Sequence, residues 1–190
     1  MLGKLLHIIE GSCLVKNLIK EFDFNLEETF FRMKSLITSS FALTRKSLTL
    51  EREVPIEEIL VLRDETWKMR NAALLLQSKE SLATGFSSAS RFYILERNAS
   101  ILRSIVKVRN QRGIKVSKQF VALFDDIESF FSVVKPIHKQ RIEDVEWSIK
   151  EQKVLLERVE KFILKGKDEA LLAHYLSELI VQIHNVHRIF

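Results

Sequence analysis

Residues 142–190 read IEDVEWSIKEQKVLLERVEKFILKGKDEALLAHYLSELIVQIHNVHRIF, and two apolar seams run through them. The first is Ile142, Val145, Ile149, Gln152, Leu156, Val159 and Ile163; the second is Leu172, Leu176, Leu179, Ile183, Val186 and Phe190. Alternating steps of three and four put each set on one side of an α-helix. Gly166 stops the first helix and Asp168 can cap the next. Two matched seams joined by so short a turn fold back on each other, so the pattern predicts an antiparallel helical hairpin turning at Gly166. Only 5 Gly and 2 Pro among 190 residues leave too few turn formers for a sandwich, a barrel or a doubly wound sheet. The expected fold is all-α: a bundle of six or seven helices in one domain, residues 1–190, ending in this long hairpin. Possible sub-units are the N-terminal helices of 1–84 and the basic helix plus hairpin of 85–190.

Working back toward the amino terminus, Val116, Phe120, Leu123, Ile127, Phe130, Val134 and Ile137 keep heptad spacing up to Pro136 and predict the longest element. Phe92, Leu95, Ala99, Leu102 and Val106 mark a helix closed by Gly113, after a Ser, Thr and Gly loop from Ser78 to Ser90 that holds Gly85. Pro55 fits a first helical position, where its missing N–H costs nothing, and that helix is expected to reach about residue 83. Asn25 with Glu28 has the form of a capping box, so a helix is expected from Leu26. Leu48, Leu50 and Val54 alternate as an extended strand does. Two short helical stretches, 2–9 and 14–22, are expected to break at Gly11 and Ser12.

The chain is 46% hydrophobic and 29% charged, and its apolar runs stop at about five residues, as at Ala72–Leu76, which implies a globular chain without a membrane span. Glu10 interrupts the early apolar stretch before a secretory signal could form, and one cysteine, Cys13, allows no intrachain disulfide. Both point to the cytoplasm. The five glycines lie apart, so no phosphate-cradling loop exists. No histidine has an acidic residue three positions before it, which excludes the di-iron carboxylate pattern. His184 and His187, with His174 further up, read as partly exposed residues flanking the seam rather than metal ligands, and Cys13 as a small buried thiol. The doublets Glu27/Glu28 and Glu57/Glu58 satisfy helix dipoles, and Asp125/Asp126 completes the acidic pairs. No metal, cofactor, small-molecule substrate or catalytic group is expected.

Charge is the uneven property. Residues 91–124 hold eight basic side chains and one acidic one, Glu96. On a helix, Arg103 and Lys107 fall opposite the Phe92, Leu95 and Leu102 stripe, and Arg97 and Arg109 at its borders. With Arg112, Lys115 and Lys118 they form a candidate face for nucleic acid or an anionic membrane. The alternatives are a solvated helix face, or one neutralised by Asp125, Asp126 and Glu128 folding back over it. Trp147 shares an outer face with Val154, and either the N-terminal helices or another chain must cover it; Trp67 is a second candidate docking residue.

Residues 135–190 also carry a Lys135-Pro136 entry, an Arg141-Ile142-Glu143 helix start, a Leu-rich helix, a short Lys and Asp turn, and Tyr175, Glu178 and Leu179 in the next helix, with Ala173 displaced. This stretch resembles the start of the archaeal ESCRT-III cell-division proteins. The resemblance implies a non-enzymatic, cytoplasmic, membrane-associated protein that polymerises through its hairpin. In that family further helices and an ATPase-binding tail follow, whereas this sequence ends within the second helix, so the resemblance does not extend to ATPase recruitment. Together these readings point to a protein-interaction or assembly module, with a polyanion binder acting through 91–118 as the alternative.

Overall fold

The computed structural model describes residues 25–49, 54–77, 82–166 and 168–188; for 82–88 and Ile137 it describes the backbone. Every regular element among the described residues is helical: α1 Leu26–Thr49, α2 Ile56–Gln77, α3 Leu82–Arg112, α4 Lys118–Ser132, a short 3-10 turn Ile137–Lys139, α5 Ile142–Leu164 and α6 Asp168–His187. The expected breaks at Gly11 and Ser12, and Cys13, lie outside the described residues.

Asn25 caps α1, its Oδ1 accepting the Glu28 N–H at 2.8 Å, while the Glu28 carboxylate takes Arg32 at 2.7 Å instead of completing the box. The extended reading of Leu48, Leu50 and Val54 is corrected at Leu48, because α1 runs to Thr49; residues 50–53 lie outside the described residues. Ser40, Thr44 and Thr49 return their hydroxyls to carbonyls four residues back, at 2.8–3.0 Å, so these polar residues are satisfied within the helix. Leu48, seven residues after the buried Phe41, then faces the core.

The helix expected to reach 83 is described as far as Gln77, with 78–81 outside the described residues, and from residue 82 the expected loop 78–90 is helix, since α3 begins at Leu82 and contains Gly85. A glycine within a helix costs only about 1 kcal/mol, which the apolar side of α3, with Leu95, Ala99, Leu102, Ile105 and Val106 sealed, outweighs. At 31 residues α3 is the longest described helix, and α4, expected to be longest, has 15. Gly113 ends α3 at φ 59°, with Ile114 N–H on Arg109 O at 3.1 Å and Gly113 N–H on Asn110 O at 3.3 Å. The chain stays extended until Ser117 caps α4.

The hairpin is present. Gly166 turns at φ 61°, and Ser148 early in α5 meets His184 late in α6, so the two helices are antiparallel. The seam of α6 is as read from Leu172 through Leu176, Leu179 and Ile183 to Val186, all sealed, and Phe190 lies outside the described residues. That of α5 is rotated: Ser148, Leu155, Val159 and Phe162 are buried, whereas Ile142 and Ile149 are 70% and 54% exposed.

Helices α1, α3, α6 and α4 form a ring in that order, with α2 laid against α1 and α3, and α5 against α4 and α6. The chain therefore makes two successive three-helix sets, α1–α3 and α4–α6, joined face to face. Arg91 reaches Val186 and Arg97 reaches Glu178, so α3 and α6 are antiparallel; Lys34 with Ser132 and Arg45 with Asp125 give the same sense for α1 and α4. Phe41 sits at the junction, 5.5 Å from Phe124 and 5.3 Å from Phe131 between ring centroids.

Candidate functional site

The basic segment divides when it folds. Arg91 and Arg109 are 3% and 7% exposed, so Arg109 lies inside rather than at the border of the stripe. Arg97 is exposed but occupied, its Nε and Nη2 both donating to Glu178 Oε1 at 2.9 and 2.5 Å. Lys107, Arg112, Lys115 and Lys118 are exposed and Arg103 half-buried, and none of these five makes an ion pair among the described residues. They run from the last turns of α3 into the connection to α4. Beside them a groove of about 830 Å³ opens between α3, with Arg103, Lys107 and Gln111, and the start of α2, with Pro55, Glu57 and Leu60.

The acidic segment does not fold back over this face. Asp125 holds Arg45 at 2.7 Å and Asp126 holds Arg158 at 2.6 Å, on α1 and α5. Glu128 lies beside Asp125, and burial together with that neighbouring charge pushes its carboxyl up. The carboxylates expected to neutralise the block are turned toward other helices.

The two tryptophans sit on opposite flanks, Trp67 on α2 and Trp147 on α5. Trp147, 40% exposed, leans on Phe130 at 5.5 Å and His187 at 5.9 Å. Among the described residues its ring partners come from α4 and the end of α6, and Val154 stays 49% exposed. Trp67 is 44% exposed and belongs to a cluster that the sequence reading missed. The Arg70 guanidinium lies 5.9 Å from the Trp67 ring and 4.7 Å from that of Tyr93, itself 50% exposed. Arg70 is held there by Glu96 at 3.4 Å and by the Asn71 side chain. The signal available in the sequence was the one-turn spacing of Tyr93 from Glu96.

His184 and His187 are buried, 9% and 1% exposed, rather than flanking the seam. Ser148 Oγ lies 3.1 Å from His184 Nδ1 and 2.8 Å from Val145 O. The hydroxyl has one proton. Donated to the Val145 carbonyl, it leaves Ser148 accepting from the imidazole N–H, the reverse of a nucleophile and its base. Ser148 is also fully sealed. His187 stacks on Phe130 at 5.3 Å, and burial pushes its imidazole down to about 4. Glu27, of the first acidic doublet, is held down by Lys139 and His138; Glu57 and Glu58 are exposed in the first turn of α2. Among the described residues no group of three or more His, Cys, Asp or Glu converges on a point where a metal could sit.

No described helix is long and apolar enough to cross a membrane. No family model, curated protein or solved structure matches this chain.

Proposed function

We propose that this chain is a non-enzymatic helical assembly module that self-associates through the seam of α2 and α3. The observation that carries the reading is the exposed Trp67, Arg70 and Tyr93 stack. Trp, Tyr and Arg are the residues that dominate binding energy at protein interfaces. Here the arginine is already pinned by Glu96 and Asn71, so little side-chain entropy remains to be lost on docking. The Ser148 and His184 pair is sealed and wrongly polarised for catalysis, which favours binding over chemistry. The resemblance of 135–190 to polymerising proteins agrees with this reading, although α6 is enclosed by α3, α4 and α5, so the hairpin offers a partner mainly the outer side of α5. A single thiol suits a reducing cytoplasm.

The test is light-scattering chromatography of the purified chain across concentration, at low and high salt. The mass should rise above the 22.2 kDa of one chain and return to it when Trp67 and Tyr93 are both replaced by Ser. Both are about half exposed, so the melting temperature should hardly move. A chain monomeric at every concentration, or one whose assembly ignores the double substitution, overturns the proposal.

One observation favours a second reading. Arg103, Lys107, Arg112, Lys115 and Lys118 carry five charges without an ion pair among the described residues, and Arg103 and Lys107 line an open groove, which suits a polyanion. Binding to duplex DNA should then weaken with salt, log affinity falling against log salt by about 0.9 per phosphate neutralised. Replacing Arg103 and Lys107 by Glu should abolish it while the fold melts as before. Binding to anionic vesicles but not to the duplex assigns the face to a membrane surface; binding to neither removes this reading.

A further inference from the structure

The seam of α2 and α3 changes character along its length. Arg70 meets Glu96 at 3.4 Å, and further along the Asn110 side chain donates to Val54 O at 2.8 Å, so the two helices run antiparallel. The Trp67, Arg70 and Tyr93 stack therefore occupies one end of the seam, and Arg103 and Lys107 line the open groove at the other. Arg103 and Lys107 follow Tyr93 by 10 and 14 residues on one helix, about 15 and 21 Å along its axis. Asp64 lies between the two ends, one turn before Trp67 on α2, and is 58% exposed although it touches Arg63.

The outer side of α5 carries the matching order. Ile142, Glu146, Ile149, Lys153, Glu157 and Glu160 step by three or four residues and so form one ridge. All six are exposed, Ile142 and Ile149 at 70% and 54%. None of the four charged ones makes an ion pair among the described residues. Glu157 and Glu160 follow Ile149 by 8 and 11 residues, about 12 and 16 Å.

We infer that the outer ridge of α5 in one copy docks along the α2–α3 seam of the next. The inference rests on self-association through that seam and names the face that fills it. With the ridge parallel to α3 and Ile149 against the Trp67 and Tyr93 rings, Glu157 and Glu160 come over Arg103 and Lys107, and Lys153 comes beside Asp64. Glu57 also lines the groove, and there the two cations outweigh it. The reverse direction sets Glu146 beside Asp64 and Lys153 beside Arg70, like charge against like, which selects the first direction. Seam paired on seam leaves Arg103 and Lys107 without the ridge carboxylates. Seam and ridge lie on opposite flanks, since α2 packs on α1 and α3, and α5 on α4 and α6. The contact is therefore heterologous, and copies add head to tail unless a ring closes.

The test is light scattering of two variants of the full chain, alone and mixed. Trp67→Ser with Tyr93→Ser removes the seam anchors, and Ile149→Arg with Glu160→Lys spoils the ridge. All four positions are exposed, so both variants should melt as the native chain does. Each alone should be monomeric. An equimolar mixture should form a complex of one copy of each and stop there, because the intact ridge of the first meets the intact seam of the second. Glu160→Lys alone should weaken assembly about tenfold, and adding Lys107→Glu to the same chain should restore it. A ridge variant that assembles as the native chain does, or a mixture that stays monomeric, overturns the docking, while a monomeric seam variant keeps self-association through the seam standing. A seam variant that still assembles, like a native chain that never does, overturns that reading as well.

Discussion

His187 is 1% exposed, with its ring stacked on Phe130 and its Nε2 3.5 Å from the Phe130 carbonyl. Burial is the main reason that its imidazole is pushed from 6.5 to about 4, the Phe130 carbonyl opposing this and Arg91 adding to it. His184 shifts the same way, through burial and Arg188. Because the folded value lies below the unfolded one, the unfolded chain takes up the proton first. Stability is therefore complete above about pH 6.5 and falls as pH drops toward 4, by about 3 kcal/mol for His187. Glu27 and Asp144, both held down by lysine partners, lose their contribution only below their ordinary values of 4.5 and 3.8, while Glu128, pushed up by burial, acts in the opposite sense above 4.5. The melting temperature should fall between pH 6.5 and 4.5, and His187→Phe, which keeps the stack and cannot be charged, should remove most of that fall. An unchanged acid profile in this variant would assign the sensitivity elsewhere.

Helix α5 separates two kinds of apolar residue that look alike in the sequence. Leu155 is fully buried and Ile149 is 54% exposed. Leu155→Ala should cost about 2–5 kcal/mol, as should Leu179→Ala on the facing helix, whereas Ile149→Ala should stay within about 0.5–1 kcal/mol; chemical denaturation of the three variants checks the ranking, and equal losses at 149 and 155 would restore the original seam. The stripe of α6 was legible because its apolar residues point one way, between α3, α4 and α5. On α5 they flank the core side on both edges, Ile142 and Ile149 on one and Trp147 and Val154 on the other, so two registers fit the spacing. What fixes the register is Ser148, a small polar residue at a core position whose partner His184 lies 36 residues away. Periodicity cannot see such a pair. The same limit applies to the charged segment. Eight cations in 34 residues were visible, but not that Arg91 would turn inward to the carbonyl of Val186, nor that Asp125 would be claimed by Arg45 from 80 residues off. Helix ends with a chemical marker, Asn25, Gly113 and Gly166, were read correctly. The start of α3 was not, since burial further along that helix outweighs the poor propensity of its first turns.

At the scale of the molecule, the question is whether the two three-helix sets unfold together. Their joint contains exposed ion pairs, Arg45 with Asp125 and Arg97 with Glu178, and the buried ring of Phe41 between Phe124 and Phe131. Exposed pairs contribute about 0.2–1 kcal/mol each. Removing a fully buried phenylalanine costs about 3–5 kcal/mol, through lost burial and the cavity left behind. Phe41 therefore outweighs those ion pairs, and because it packs against Phe124 and Phe131 of α4 while belonging to α1, its loss should be felt on both sides. Neither set can retain its sealed face alone: α4 would expose Phe124 and Phe131, and α3 would lose the cover of α6. The expectation is one cooperative transition, in which Phe41→Ala lowers the free energy of amide exchange equally in α3 and in α6, while Arg45→Ala leaves both nearly unchanged. Exchange measured by mass spectrometry reads the two sets separately. Protection kept in α6 while it collapses in α3 would mean that the sets are energetically independent and that the phenylalanine joint is not what couples them.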